Sequence, residues 1–112
     1  MHELSISRSI AATVRESAAG RPVERVNVEL GQLRQIVPET LRHCWTLVVE
    51  GTDLEGSTLE ITEVPAALKC RSCGARFTLI AAIFRCEHCG SREVTIASGE
   101  EFMITSYDVV GA

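Results

Sequence analysis

Two short stretches constrain this chain more than any other: Cys70-Arg71-Ser72-Cys73-Gly74 and Cys86-Glu87-His88-Cys89-Gly90, with twelve residues between Cys73 and Cys86. Two-residue spacing lets both sulfurs of one turn face a single ion. Two such turns supply four thiolates in a tetrahedron, the closed shell of a structural Zn(II) site. The glycine after each pair follows from the same geometry, because the turn needs a residue of positive φ just past its second cysteine, and Gly74 and Gly90 take that conformation without steric cost.

Two disulfides are the rival reading of this spacing and would suit an exported chain. Met1-His2-Glu3 opens directly with polar residues rather than a leader, so reduced thiols and a cytoplasmic protein are expected. Thioredoxin-like redox chemistry needs one Cys-x-x-Cys at a helix start after a strand, whereas here two flank a hairpin-like stretch.

With 112 residues, the chain has room for one compact domain plus a small module in which metal substitutes for a core. No apolar run approaches the roughly 18 to 20 residues that span a bilayer, so no membrane association is expected. Charge is unevenly placed. The cysteine-bearing stretch from Leu68 to Ile96, a zinc ribbon, holds Lys69, Arg71, Arg76, Arg85 and Arg92 against Glu87 and Glu93, while the remainder sets six arginines against thirteen carboxylates. An acidic body points to protein partners more than to nucleic acid.

Leu4, Ile6, Ile10, Ala11, Val14 and Ala18 recur at helical spacing, and Gly20 and Pro22 stop the pattern, which predicts a helix over Leu4–Ala19. Val26, Val28 and Leu30 alternate with Asn27 and Glu29 as a half-buried strand ending at Gly31. Pro38 and Glu39 suit the first turn of a second helix whose stripe is Leu41, Trp45, Val48 and Val49, before Gly51. Thr58–Val64 reads as a second strand and Glu101–Val110 as a last one. The expected fold is α+β: a small three-stranded sheet with two helices, plus an inserted zinc-ribbon module. The base would comprise residues 1–65 and 98–112, and the ribbon 66–97.

The first three residues suggest a second metal site. A terminal amine, the amide nitrogens of His2 and Glu3, and the His2 imidazole can form fused chelate rings around one ion, and four nitrogens in a plane favour Ni(II) or Cu(II). His2 is too bulky for ready removal of Met1, so the register is kept. An α-amine titrates at roughly 7.7 to 8.0 and a histidine near about 6.5, so acidification should release the ion. Reversible capture suits delivery rather than catalysis.

With these residues in view, the chain resembles the HypA/HybF family of hydrogenase-maturation nickel metallochaperones over nearly its whole length. The resemblance is carried by Met1-His2-Glu3-Leu4-Ser5-Ile6, Glu29-Leu30-Gly31-Gln32-Leu33, Val37-Pro38-Glu39-Thr40-Leu41, Leu59-Glu60-Ile61, both Cys-x-x-Cys-Gly turns, and Ser98-Gly99-Glu100-Glu101. It implies that His2 is the essential nickel ligand with Met1 and Glu3 beside it, and that Cys70, Cys73, Cys86 and Cys89 bind zinc. It also implies partners that spacing could not show: a HypB-type GTPase and the precursor of the [NiFe]-hydrogenase large subunit, with urease served by some members and a homodimer left open. His43-Cys44-Trp45, where relatives are richer in phenylalanine, and Glu87-His88, where proline commonly follows the third cysteine, depart from the family pattern without touching a matched ligand.

Other residues carry less. His88 could replace a zinc cysteine but is surplus where four thiolates are present, His43 has no companion ligand at i+4, and Cys44 reads as a small buried hydrophobe. A nucleic-acid-binding ribbon would have only Phe77 and Phe84 for stacking on bases. An enzyme would need an open metal position or a recognisable Ser/His/Asp or paired-carboxylate set, and neither is visible.

Overall fold

A computed structural model describes residues 2–79 and 83–111. The elements run α1 (His2–Ala18), β1 (Val23–Gly31), a 3-10 turn (Gln32–Arg34), α2 (Pro38–Val48), β2 (Thr58–Val64), β3 (Ala67–Cys70), β4 (Arg76–Thr78), β5 (Val94–Ser98) and β6 (Phe102–Val109). They form two three-stranded sheets, ordered β2-β1-β6 and β4-β3-β5. The α+β class, two helices with a small sheet, is the one the periodicities predict. The chain divides into two compact units: Met1–Glu29, Ile36–Thr62 and Met103–Ala112 in the first, Leu30–Gln35 and Glu63–Phe102 in the second.

In the first unit α1 starts two residues before the apolar stripe does, and in its first turn the Glu3 carboxylate accepts hydrogen bonds from its own N–H and from that of Val37. The helix ends where Ala19 and Gly20 turn into left-handed conformations at φ +51° and +86°. Arg21 closes that end: its guanidinium donates to the carbonyls of Ala18 and Ser17 and to the Tyr107 hydroxyl. Strand β1 begins at Val23, three residues earlier than its alternation suggests, since Glu24 and Arg25 are both exposed and hide the period. Helix α2 stops at Val48 rather than running on to Gly51.

The apolar face of α1, Ile10, Ala11, Val14 and Ala18, is buried, as are Val23, Val26 and Val28 of β1, Leu41 and Trp45 of α2, and Leu59 of β2. Burying a polar indole requires an acceptor, and the Trp45 Nε1–H finds the Ser57 hydroxyl at 3.1 Å. Buried Ser7 donates to the Leu41 carbonyl, joining the two helices.

In the second unit β3 is the central strand, antiparallel to both neighbours, with Leu68 opposite Phe77 on β4 and Ile96 on β5. A register shift between Ala67 and Leu68 marks the β5 side. The unit's core is a small cluster of Ala66, Leu68, Cys70, Phe77, Leu79 and Cys86. No helix among the described residues is long and apolar enough to cross a membrane.

Candidate metal centre

Strand β3 delivers Cys70 into a tight turn. The Cys70 N–H donates to the Ala75 carbonyl at 2.8 Å, and the Gly74 N–H donates back to the Cys70 carbonyl at 3.0 Å. Gly74 turns the chain at φ +79°. The second turn repeats the construction: Cys86 N–H to the Ser91 carbonyl at 2.9 Å, Gly90 N–H to the Cys86 carbonyl at 2.9 Å, and Gly90 at φ +75°. Both glycines adopt the conformation that the spacing requires, and a hydrogen bond between the Ser72 and Ser91 hydroxyls at 2.9 Å ties the turns together.

Within each turn the first sulfur is buried and receives two backbone N–H groups. Ser72 and Cys73 donate to Cys70 Sγ at 3.3 and 3.4 Å, and His88 and Cys89 donate to Cys86 Sγ at 3.4 Å each. The second sulfur of each turn belongs to an exposed residue. All four sulfurs lie within 4.8 Å of one another. Across the turns Cys70 Sγ is 3.7 Å from Cys89 Sγ, and Cys73 Sγ is 3.6 Å from Cys86 Sγ. All five cysteines are free thiols. A tetrahedral zinc ion with bonds of about 2.3 Å sets its sulfurs about 3.8 Å apart, so this donor set already has the dimensions of the shell it would close.

The electrostatics agree. The Cys73 N–H, then the Ser72 N–H, lower the Cys70 pKa to about 6 against the penalty of burial, and the Cys89 N–H does the most to lower Cys86. Their partners resist ionisation. The Ala75 N–H pulls Cys73 down, but hydrogen bonding to Cys86, burial and Cys70 together raise it. The Ser91 N–H likewise pulls Cys89 down, while burial and the three neighbouring sulfurs push it up to about 12. Four sulfurs this close share protons because they cannot all ionise, and a divalent cation is what relieves that repulsion.

His88 stands beside this cluster, 62% exposed, with Nε2 at 3.9 Å from Glu87 Oε1. His43 is exposed on α2 and Cys44 is only half-buried. Of the other residues singled out for metal, His2 is exposed at the start of α1, and Glu3 Oε2 accepts the Val37 N–H at 3.2 Å. The carboxylate thus lies before α2, whose N-cap Val37 has no side-chain acceptor of its own. Its own N–H first, then that of Val37, holds the Glu3 carboxyl below the usual carboxylate range. Met1 lies outside the described residues.

Residues 1–109 match the family model described as "HypA: Hydrogenase/urease nickel incorporation, metallochaperone". The chain belongs to the HypA family. Its curated relatives include the hydrogenase maturation factor HypA of Rippkaea orientalis, 42% identical over 109 residues that cover 97% of this chain and 96% of the relative. That of Geotalea daltonii is 38% identical, covering 98% of this chain and all of the relative. The fold is also that of solved HypA structures. A solution structure of HypA protein aligns with a TM-score of 0.72 and 26% identity, covering 100% of this chain and 98% of that one. The Ni metallochaperone HypA from Helicobacter pylori aligns with a TM-score of 0.64 at 24% identity, covering 98% of each. HypA proteins are metallochaperones, maturation factors rather than enzymes, and the four-cysteine centre described above fits a structural metal within one.

Proposed function

We propose that this HypA protein captures Ni(II) at its N-terminus and delivers it for maturation of the [NiFe]-hydrogenase large subunit, while a Zn(II) ion held by Cys70, Cys73, Cys86 and Cys89 keeps the ribbon folded. His2 is the principal nickel ligand, with the Met1 amine and the Glu3 backbone completing the chelate. The partners are a HypB-type GTPase and the large-subunit precursor, met in the cytoplasm, and a homodimer is a further assembly to test. The working division of roles gives nickel binding to a base of residues 1–65 and 98–112 and zinc binding to a ribbon of 66–97, although compactness groups Leu30–Gln35 and the ribbon's flanks with the cysteines. The observation that carries this reading is the family match over residues 1–109. The gathered sulfurs support its zinc part.

Zinc bound there would supply a dication that offsets two of the four thiolate charges, and no position would be left for a catalytic water. The chain's own contribution is to fix the sulfurs through the two glycine turns and to expose His2 at a helix start.

The test is a nickel titration of protein with a native, untagged Met1, beside His2→Ala, followed by the absorption of planar Ni(II) and by calorimetry. One nickel per chain, lost in His2→Ala while zinc content and helicity stay unchanged, is the expected result. Undiminished nickel binding by the variant would refute the N-terminal site.

A further inference from the structure

Gly31-Gln32-Leu33 and Ser98-Gly99-Glu100-Glu101 carry much of the family likeness, yet neither the cysteine shell nor the N-terminal chelate uses them. Both stretches lie in the second unit, where they are tied to each other and to the residues that lead into β3. Gly31 N–H donates to the Glu101 carbonyl at 2.6 Å and Leu33 N–H to the Gly99 carbonyl at 2.8 Å. Gln32 Oε1 accepts the Ala66 N–H at 2.9 Å. Arg34 Nε donates to the Glu100 carbonyl at 2.7 Å, and the Ser98 hydroxyl donates to the Pro65 carbonyl at 2.8 Å. Two glycines permit this approach: a Cβ on Gly31 would overlap the Gly99 carbonyl, and one on Gly99 would meet Ala66 Cα at 2.7 Å.

The side chain of Leu33 packs against the cluster of Ala66, Leu68, Cys70, Phe77, Leu79 and Cys86. Two members of that cluster are the buried first cysteines of the two turns. The clasp therefore reaches the metal centre by two routes. Gln32 holds the backbone of Ala66, from which β3 runs directly to Cys70, and Leu33 packs against the apolar cluster to which Cys70 and Cys86 belong.

We propose that Leu33 and Gln32 are positioning residues for the four-cysteine metal centre, holding its two buried sulfurs in place from outside the Cys-x-x-Cys turns. This rests on the reading of those cysteines as a metal site. The physical reason is that a closed tetrahedral shell tolerates little displacement of its ligands, and the atoms around the ligands set how far they can move. The coupling is reciprocal, so the bound metal should in turn hold the clasp shut.

The experiment loads the full chain with zinc and follows transfer of the metal to an excess of chromophoric chelator. Leu33→Ala and Gln32→Leu should lose zinc on the order of tenfold faster than the parent protein, given the packing that a Leu→Ala change removes. Leu33→Met, which keeps volume, should return to near the parent rate. Hydrogen exchange on the same samples should show the Gly31, Leu33 and Ala66 amides protected with zinc and exposed after chelation, while the Val14 amide in α1 keeps its protection. If Leu33→Ala fails to fold by circular dichroism, Gln32→Leu and the exchange data decide.

Unchanged release rates in both variants, with zinc bound stoichiometrically, would overturn this inference alone. So would accelerated release that Leu33→Met does not restore, because that pattern is general loosening. A parent protein that takes up no zinc would overturn the metal reading itself.

Discussion

Gly31→Ala should be the most damaging of the glycine substitutions, and the reason is space rather than backbone angle. Gly31 sits at φ −74° and ψ 141°, where any residue is comfortable. A Cβ built there overlaps the Gly99 carbonyl and stands 2.6 Å from the Glu101 nitrogen, well inside van der Waals contact. To make room, the two segments must part, which breaks the hydrogen bonds from Gly31 to Glu101 and from Leu33 to Gly99. At a net ~1 kcal/mol each the loss is about 2 kcal/mol, and more if the freed carbonyls stay buried. For a chain of this size that lowers the melting temperature by about 8 °C. Gly74→Ala provides the comparison: nothing lies within 4 Å of its Cβ, so only the left-handed φ of +79° is penalised, by ~1 kcal/mol. Urea and thermal unfolding of both variants, loaded with zinc and followed by circular dichroism, would measure the difference. A Gly31→Ala protein within about 0.5 kcal/mol of the parent, or less affected than Gly74→Ala, would refute the reasoning.

Trp45→Phe should cost about 1 to 3 kcal/mol in urea unfolding, since it opens a gap at a fully buried site and leaves the Ser57 hydroxyl without its donor. Adding Ser57→Ala should then cost less than it does in the parent, and strict additivity would show that the bond contributes nothing. Zinc binding near about pH 7 should release at least two protons per metal, because Cys73 and Cys89 hold theirs above that pH while Cys70, at about 6, has already lost its own. Apparent zinc affinity must therefore rise with pH; calorimetry in buffers of different ionisation enthalpy measures the count, and fewer than two would contradict the thiol assignments. Glu3, with its pKa lowered in the fold, contributes stability that is present above the ordinary carboxylate range and disappears as pH falls through the lowered value. Glu3→Gln should remove that part of the acid transition, and an identical acid limb in the variant would count against the Val37 contact.

The Cys-x-x-Cys-Gly spacing by itself determined the two cysteine turns down to the sign of φ at Gly74 and Gly90, because two residues between sulfurs allow few closed backbone paths. The 3.6-residue stripe of α1 and the alternation of β1 and β2 likewise determined which faces are buried, since each needs only a count along the chain. Element ends were less legible. Helix α1 begins at His2, ahead of its apolar stripe, and the start of β1 is masked by two consecutive exposed residues. The Glu3 contact with Val37 could not be read locally, because that partner is 34 positions away.

Only the tertiary structure decided that Leu30–Gln35 belongs to the unit that carries the four cysteines. Locally Gly31 is the end of an alternating strand and Leu33 one more apolar residue. Their importance comes from the approach of Gly99 and Ala66, from distant parts of the sequence, and from the packing of Leu33 against the cluster that contains Cys70 and Cys86. A sequence specifies a local turn through its own covalent geometry, whereas a close approach between distant segments exists only once the chain has folded.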